Sequence, residues 1–223
     1  QVRARAPQDP DVTYITGCTN ITKPGYYVLS SNLTGALVSG YCIGVFASDV
    51  VINGDGHWVV SNYVGYSGIY VGPGSTNVTI EDIYVAVYIV NVLVNSSGVR
   101  IVNSSIIYGY YYGLIVTGND DSIVNSNVSA NYYFDITIIG NDDSVVNSIV
   151  SYSSSMYGIN ITGNNDSIVN STVVDNCEYG INVLGNNDSI VNSNVSGNGY
   201  GFINGFGINV TGSYDSVVDS IVS

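Results

Sequence analysis

Basic residues are nearly missing from this 223-residue chain: four Lys and Arg face 17 Asp and Glu, a net charge of −13. Phosphate contacts need Lys and Arg, so the balance argues against a nucleic-acid partner. One His, one Met and three Cys are a poor ligand supply for copper. Good helix formers are scarce, whereas 27 Asn, 26 Gly and 20 Tyr, with Val, Ile and Ser, suit strands and turns. No run of about 18 apolar residues is present to span a bilayer. The most apolar stretch, Ile83 to Val94, is interrupted by Asn91 and reads as β. Only 9% of residues are charged, yet 45% are hydrophobic, and disorder requires low hydrophobicity as well. The chain starts at Gln1 without a signal peptide, as expected of a processed product.

What is present is a repeat. Units begin at Gly113, Asp135, Gly158, Gly180 and Gly207, at periods of 22, 23, 22 and 27 residues. Looser copies start at Asn91 and Gly68, so seven or more coils are expected. Each unit carries two stretches of period-2 alternation. In the third clear unit Ile159 and Ile161 point one way and Asn160 the other; Val169, Ser171 and Val173 are expected on one face, Asn170 and Thr172 opposite. The matching inward positions elsewhere are Val124 and Val128, Val146 and Val150, Val191 and Val195, Val218 and Val222. Gly118, Gly140, Gly163, Gly185 and Gly212 mark the turn between the stretches. About 22 residues cannot close a sheet alone, but stacked coils about 4.8 Å apart can bury a shared interior. This predicts an all-β parallel β-helix over residues 13–223, preceded by an extended arm over 1–12.

The opening coils, with Cys18, ITKPGYYVLSSNLTG from Ile21, and Cys42 followed by IGVFASDVVINGDGH, resemble the pectin-lyase-like right-handed β-helices. They are especially similar to NosD-type and archaeal surface members, departing at Asn53 where an Asp is usual. The resemblance implies right-handedness and three sheets. Enzymes on this scaffold pair calcium-binding carboxylates with Arg or Lys, or cluster Asp. Arg100 stands alone here, and Asp49 and Asp55 near the single His57 form the best constellation. General acid–base work needs a positioned donor and acceptor. The expectation is therefore that the chain is not an enzyme.

Cys18 and Cys42, 24 residues apart, are close to one coil apart and are expected to form a disulfide, consistent with an oxidising exterior. Cys177 has no evident mate; it is a small buried residue or an intermolecular link. Asp121, Asp143, Asp166, Asp188 and Asp215 recur at one position of the repeat. Stacked carboxylates repel, so each caps its own turn's N–H groups or a cation such as Ca²⁺ bridges the column. Tyr112, Phe134, Tyr157, Tyr179 and Phe206 form an aromatic column, either a structural ladder or a sugar-stacking platform. Asn125, Asn147, Asn170, Asn192 and Asp219 form another, an amide ladder or glycan display.

Twelve Asn-X-Ser/Thr triplets lie at Asn20, Asn32, Asn77, Asn95, Asn103, Asn127, Asn160, Asn165, Asn170, Asn187, Asn194 and Asn209. They point to an N-glycosylated protein outside the cell, at its surface or secreted. The last unit stops at Ser223 just after Val222, and Arg3 and Arg5 sit on the leading arm. Open β-helix edges recruit strands. The expected function is a glycosylated extracellular filament assembled head to tail from copies of itself; the alternative is a secreted carbohydrate-active β-helix protein, polysaccharide-binding or lyase-like. A domain of a longer surface-layer or adhesin protein is a third reading.

Overall fold

The computed structural model describes residues 12–62, 65–200 and 205–223. Arg3 and Arg5 therefore lie outside the described residues. Those described form strands and turns only, without a helix, in about nine turns of roughly 23 residues. Three all-parallel sheets of ten, nine and nine strands run the length of the solenoid.

One coil explains the rest. Tyr157–Asn164 lies in a long-strand sheet, Ser167–Val169 in a middle sheet and Thr172–Val174 in a short-strand sheet. Each strand pairs with its copy one repeat on: Ile159 with Ile181, Ile168 with Ile190, Val173 with Val195. Ile159, Ile161, Ile168 and Val173 are all at most 1% exposed. Burying each contributes about 2 kcal/mol, and parallel pairing keeps like above like.

Each coil carries three strands, one per sheet as the resemblance implies, a third beyond the two alternating stretches read from the repeat. One placement needs correction: the inward residue of the middle strand is Ile168, not Val169. Its equivalents are Ile123, Val145 and Ile190, all at most 2% exposed, while Val124, Val146 and Val191 are half-buried and face outward. The cause is the corner at Asn170, whose φ of 51° takes the left-handed turn that Asn tolerates. Asn125, Asn147, Asn192 and Asp219 do the same. Alternation does not run through such a corner, so its phase slips by one residue between Val169 and Val173. No side-chain ladder links this Asn column. Amide ladders form elsewhere: Asn164 Nδ2 donates to Asn141 Oδ1 at 2.9 Å and Asn182 Nδ2 to Asn160 Oδ1 at 2.8 Å.

Cys18 and Cys42 are joined across the first coils, their Cα atoms 4.4 Å apart. Closing a loop of 24 residues stabilises by about 3 kcal/mol. Replacing both with serine is expected to lower the thermal midpoint by roughly 5–10 °C; an unchanged melt would remove the bridge from the stability account.

Candidate functional site

The short-strand sheet hands each coil back to the long-strand sheet at one corner, and there the chain places its tyrosines. Tyr108, Tyr110 and Tyr111 follow the strand Ser105–Ile107; Tyr132 and Tyr133 follow Asn127–Ser129 one coil on. Together with Gly109, Ala130 and Ser154 they line an open groove of about 600 Å³. A second lobe of about 500 Å³ continues along the axis to Tyr66 and Ile89, sharing Tyr110 and Tyr111. Both fall within the size range of ligand sites.

Aromatic contacts fix the lining. Tyr111 stacks on Tyr133 with centroids 5.2 Å apart and planes 8° from parallel. Tyr132 meets Tyr133 edge-on at 4.9 Å. Tyr66, Tyr108, Tyr110 and Tyr132 are 50–62% exposed, an expensive way to place large rings unless something covers them. The backbone is unusual here as well. Outside Gly, Asn and Asp, the described left-handed residues are Val87, Tyr108, Ala130, Tyr152 and Tyr214, and the first four occupy this corner. Such conformations cost about 1–3 kcal/mol and gather at functional sites.

Beneath the tyrosines lies a polar floor. Asn131, fully buried, accepts the Gly109 N–H at Oδ1 (2.6 Å) and donates from Nδ2 to Asp135 Oδ1 (2.7 Å). Asp135 breaks the repeat, because Gly113, Gly158 and Gly180 hold its position in other units. A Cβ on Gly158 would sit 2.5 Å from Asn176 Nδ2; at Asp135 the side chain instead turns onto Asn131. Its second oxygen is buried without a partner, and burial pushes the carboxyl well above the usual range despite those hydrogen bonds. Sequence periodicity registered Asp135 only as a unit start. The Gly-to-Asp exchange and the tyrosine runs Tyr110–Tyr112 and Tyr132–Tyr133 were the available signals; their meeting across coils was not visible.

The sequence-derived columns resolve differently. Tyr112, Phe134, Tyr157, Tyr179 and Phe206 form a continuous ladder with centroid spacings of 4.7–5.7 Å. It adjoins the groove without lining it. The Asp column, on another corner, turns inward, with Asp121, Asp143, Asp166 and Asp188 at most 4% exposed. Each Oδ1 accepts a backbone N–H of the preceding coil: Val99 to Asp121, Asp121 to Asp143, Asp143 to Asp166, Asp166 to Asp188, Asp188 to Asp215. The expected cap on each residue's own turn is thus corrected to a ladder between coils, because the side chains point along the axis. Among the described residues no three His, Cys, Asp or Glu converge as a metal cage.

Asp49, Asp55 and His57 are engaged separately. Asp49 accepts from Asn77 at 2.7 Å, the Asp55 N–H donates to Asn53 Oδ1 at 2.7 Å, and His57 Nδ1 pairs with Asn32 Oδ1 at 3.2 Å. Cys177 is buried and free. All twelve sequon asparagines are half-buried or exposed.

No protein-family model matches the chain, and no curated protein matches it in sequence. The pectate lyase Pel9A superposes with a TM-score of 0.65 at 16% identity, covering 96% of this chain and 67% of the lyase. The enzymatically active domain of bacteriophage CBA120 tailspike protein 2 gives 0.62 at 15% identity, covering 93% of this chain and 38% of that one. The fold is a right-handed parallel β-helix like that of these two proteins. This chain spans well under half the tailspike domain's length.

The same finding corrects the expectation of a non-enzyme: both of these β-helix proteins are enzymes. That expectation rested on the shortage of Lys, Arg and His, but carboxylates and phenols also transfer protons. On the outer face of the middle sheet the β-helix gathers such a set. Tyr26 donates to Glu81 Oε1 at 3.2 Å, and Asn53 Nδ2 donates to Tyr26 Oη at 2.9 Å and to Glu81 Oε1 at 3.0 Å. An Asp at position 53 would add another anion beside Glu81 and Asp82; Asn supplies the donor they need. Desolvation raises the Tyr26 phenol above its ordinary value, so it stays a proton donor at neutral pH. The cluster and the Tyr66 lobe flank the three residues of the strand Tyr84–Ala86, about 10 Å across.

Proposed function

We propose that this chain is a secreted, carbohydrate-active β-helix protein that engages a polysaccharide along the tyrosine groove. One observation carries the reading: two open lobes share Tyr110 and Tyr111 and run along the axis over successive coils. An extended sugar chain is long, repetitive and amphipathic. Its C–H faces pack on aromatic rings while its hydroxyls pair with phenol groups. The groove is open along the axis, so it suits a polymer better than a small enclosed ligand. The disulfide between Cys18 and Cys42 is compatible with an oxidising exterior.

The test is retardation of the full chain in gels containing single polysaccharides, alongside release of reducing ends or unsaturated products. Tyr111→Ala and Tyr132→Ala are expected to weaken retention by about tenfold, the loss of one or two stacking contacts of about 0.5–1.5 kcal/mol each. Equal retention by wild type and both variants would remove the groove from the function.

Head-to-tail self-association is a second reading, supported by the outermost described coil. Val217, Val218, Ile221 and Val222 are 45–65% exposed there, although Val195, one coil earlier, is fully buried. A further stretch of a longer chain would cover the same edge. Sedimentation of the protein as isolated from its source separates them: growth of the weight-average mass with concentration supports assembly, and a constant mass rejects it.

A further inference from the structure

We infer that the occupant of the tyrosine groove is an uncharged polysaccharide rather than a polyuronate. This rests on the groove reading above and adds the chemical class of the ligand.

Acidic sugar chains are held by Arg or Lys forks or by cations on carboxylate cages. The described lining of both lobes, from Ser61 to Ser154, contains no charged side chain. The two cations among the described residues are elsewhere: Arg100 sits on the outer face of the middle sheet, and Lys23 precedes the first coils' strand Gly25–Leu29. Asp135, the one acidic group directly behind the groove, is fully buried and turned onto Asn131, so it presents no carboxylate to a ligand. Around this neutral strip the protein as a whole carries −13. A polyuronate would approach against that field and find no counter-charge in the described lining, whereas a neutral chain loses nothing to it. Phenol hydroxyls on Tyr108, Tyr110, Tyr111 and Tyr132 both donate and accept, which matches sugar hydroxyls, whereas a carboxylate uses only the single donor of each and finds no bidentate fork or positive charge.

The discriminating experiment is affinity electrophoresis and calorimetry of the full chain against two sets of probes. The neutral set is β-glucan, galactomannan, xyloglucan and starch; the acidic set is polygalacturonate and alginate. Each is measured at low and physiological salt, with and without calcium. Retention by at least one neutral polymer is expected, with an affinity that changes less than twofold with salt and falls at least tenfold in Tyr111→Ala. Tyr110→Ala, at a 62% exposed position, serves as the variant least able to disturb folding and should fall at least threefold with an unchanged melt. Retention of an acidic polymer that is lost in the tyrosine variants would overturn the uncharged class while leaving the groove as the polysaccharide site. Binding of neither set, or binding of a proline-rich peptide alone, would overturn both.

Discussion

Gly163→Ala is expected to lower stability by about 4 kcal/mol or more, among the largest effects a single methyl can have. A Cβ there would lie 1.4 Å from the Gly140 carbonyl oxygen and 2.7 Å from Asp166 Oδ2. Gly140, Gly185 and Gly212 make the same approach to the coil before them, at 1.4–1.6 Å. The first obstacle is backbone, so no side-chain rotation relieves it. The two coils must separate at this corner, which loosens the Asp143 N–H to Asp166 Oδ1 bond (2.9 Å) and the Asn164 to Asn141 amide rung. A fall of roughly 10 °C or more in the thermal midpoint by circular dichroism is the expected reading. Gly17→Ala is the control, since nothing lies within 4 Å of its Cβ, and it should melt with the wild type. If both variants melt alike, the coils do not stack this closely.

Raising the pH from about 4 to about 8 is expected to destabilise the solenoid, and the double variant Asp143→Asn/Asp166→Asn should remove much of that dependence. Burial is the first cause. Desolvation pushes Asp143 and Asp166 up to about 7 and Asp121 up to about 6, against partial relief from the backbone N–H each accepts. Neighbouring Asp120 and Asp142 add repulsion. The outer oxygens of Asp121, Asp143, Asp166 and Asp188 are buried without partners, so nothing there compensates a negative charge. Each carboxyl holds its proton more tightly folded than unfolded. Its full stability is therefore present below the unfolded value of about 4 and is lost as pH rises through the folded value. The loss is about 1.4 kcal/mol per group for each pH unit in that window. Asparagine keeps the carbonyl acceptor for the N–H ladder and carries no charge, so the double variant should melt higher than wild type at pH 8 and near it at pH 4. Calcium, which the sequence left open for this column, is expected to leave the melt unchanged, because each Oδ1 is already committed to a backbone N–H. A wild-type midpoint that stays level from pH 4 to 8 would refute the neutral column.

Much of this was legible from spacing alone. A 22-residue repeat of alternating segments cannot bury its apolar side except against copies of itself, so the parallel stack follows, and with it the inward placing of Val128, Val150 and Val195. The third strand was hidden because the left-handed Asn170 corner resets the alternation. Val169 then reads as core although Ile168 is. The groove was harder. Its tyrosines are near neighbours along the chain in pairs, but the stacking of Tyr111 on Tyr133 joins residues 22 apart, and a linear pattern carries no sign of which columns face solvent.

Period and alternation are enough to stack the chain on itself in parallel coils, since they dictate which faces must meet. How the corners turn, and with them whether a repeated side chain points to water or along the axis, is set by the folded coils together. That orientation makes the aspartates an internal ladder and the tyrosines an open groove. A corner's φ and ψ depend on the coil above and below it, which no single unit of the sequence contains.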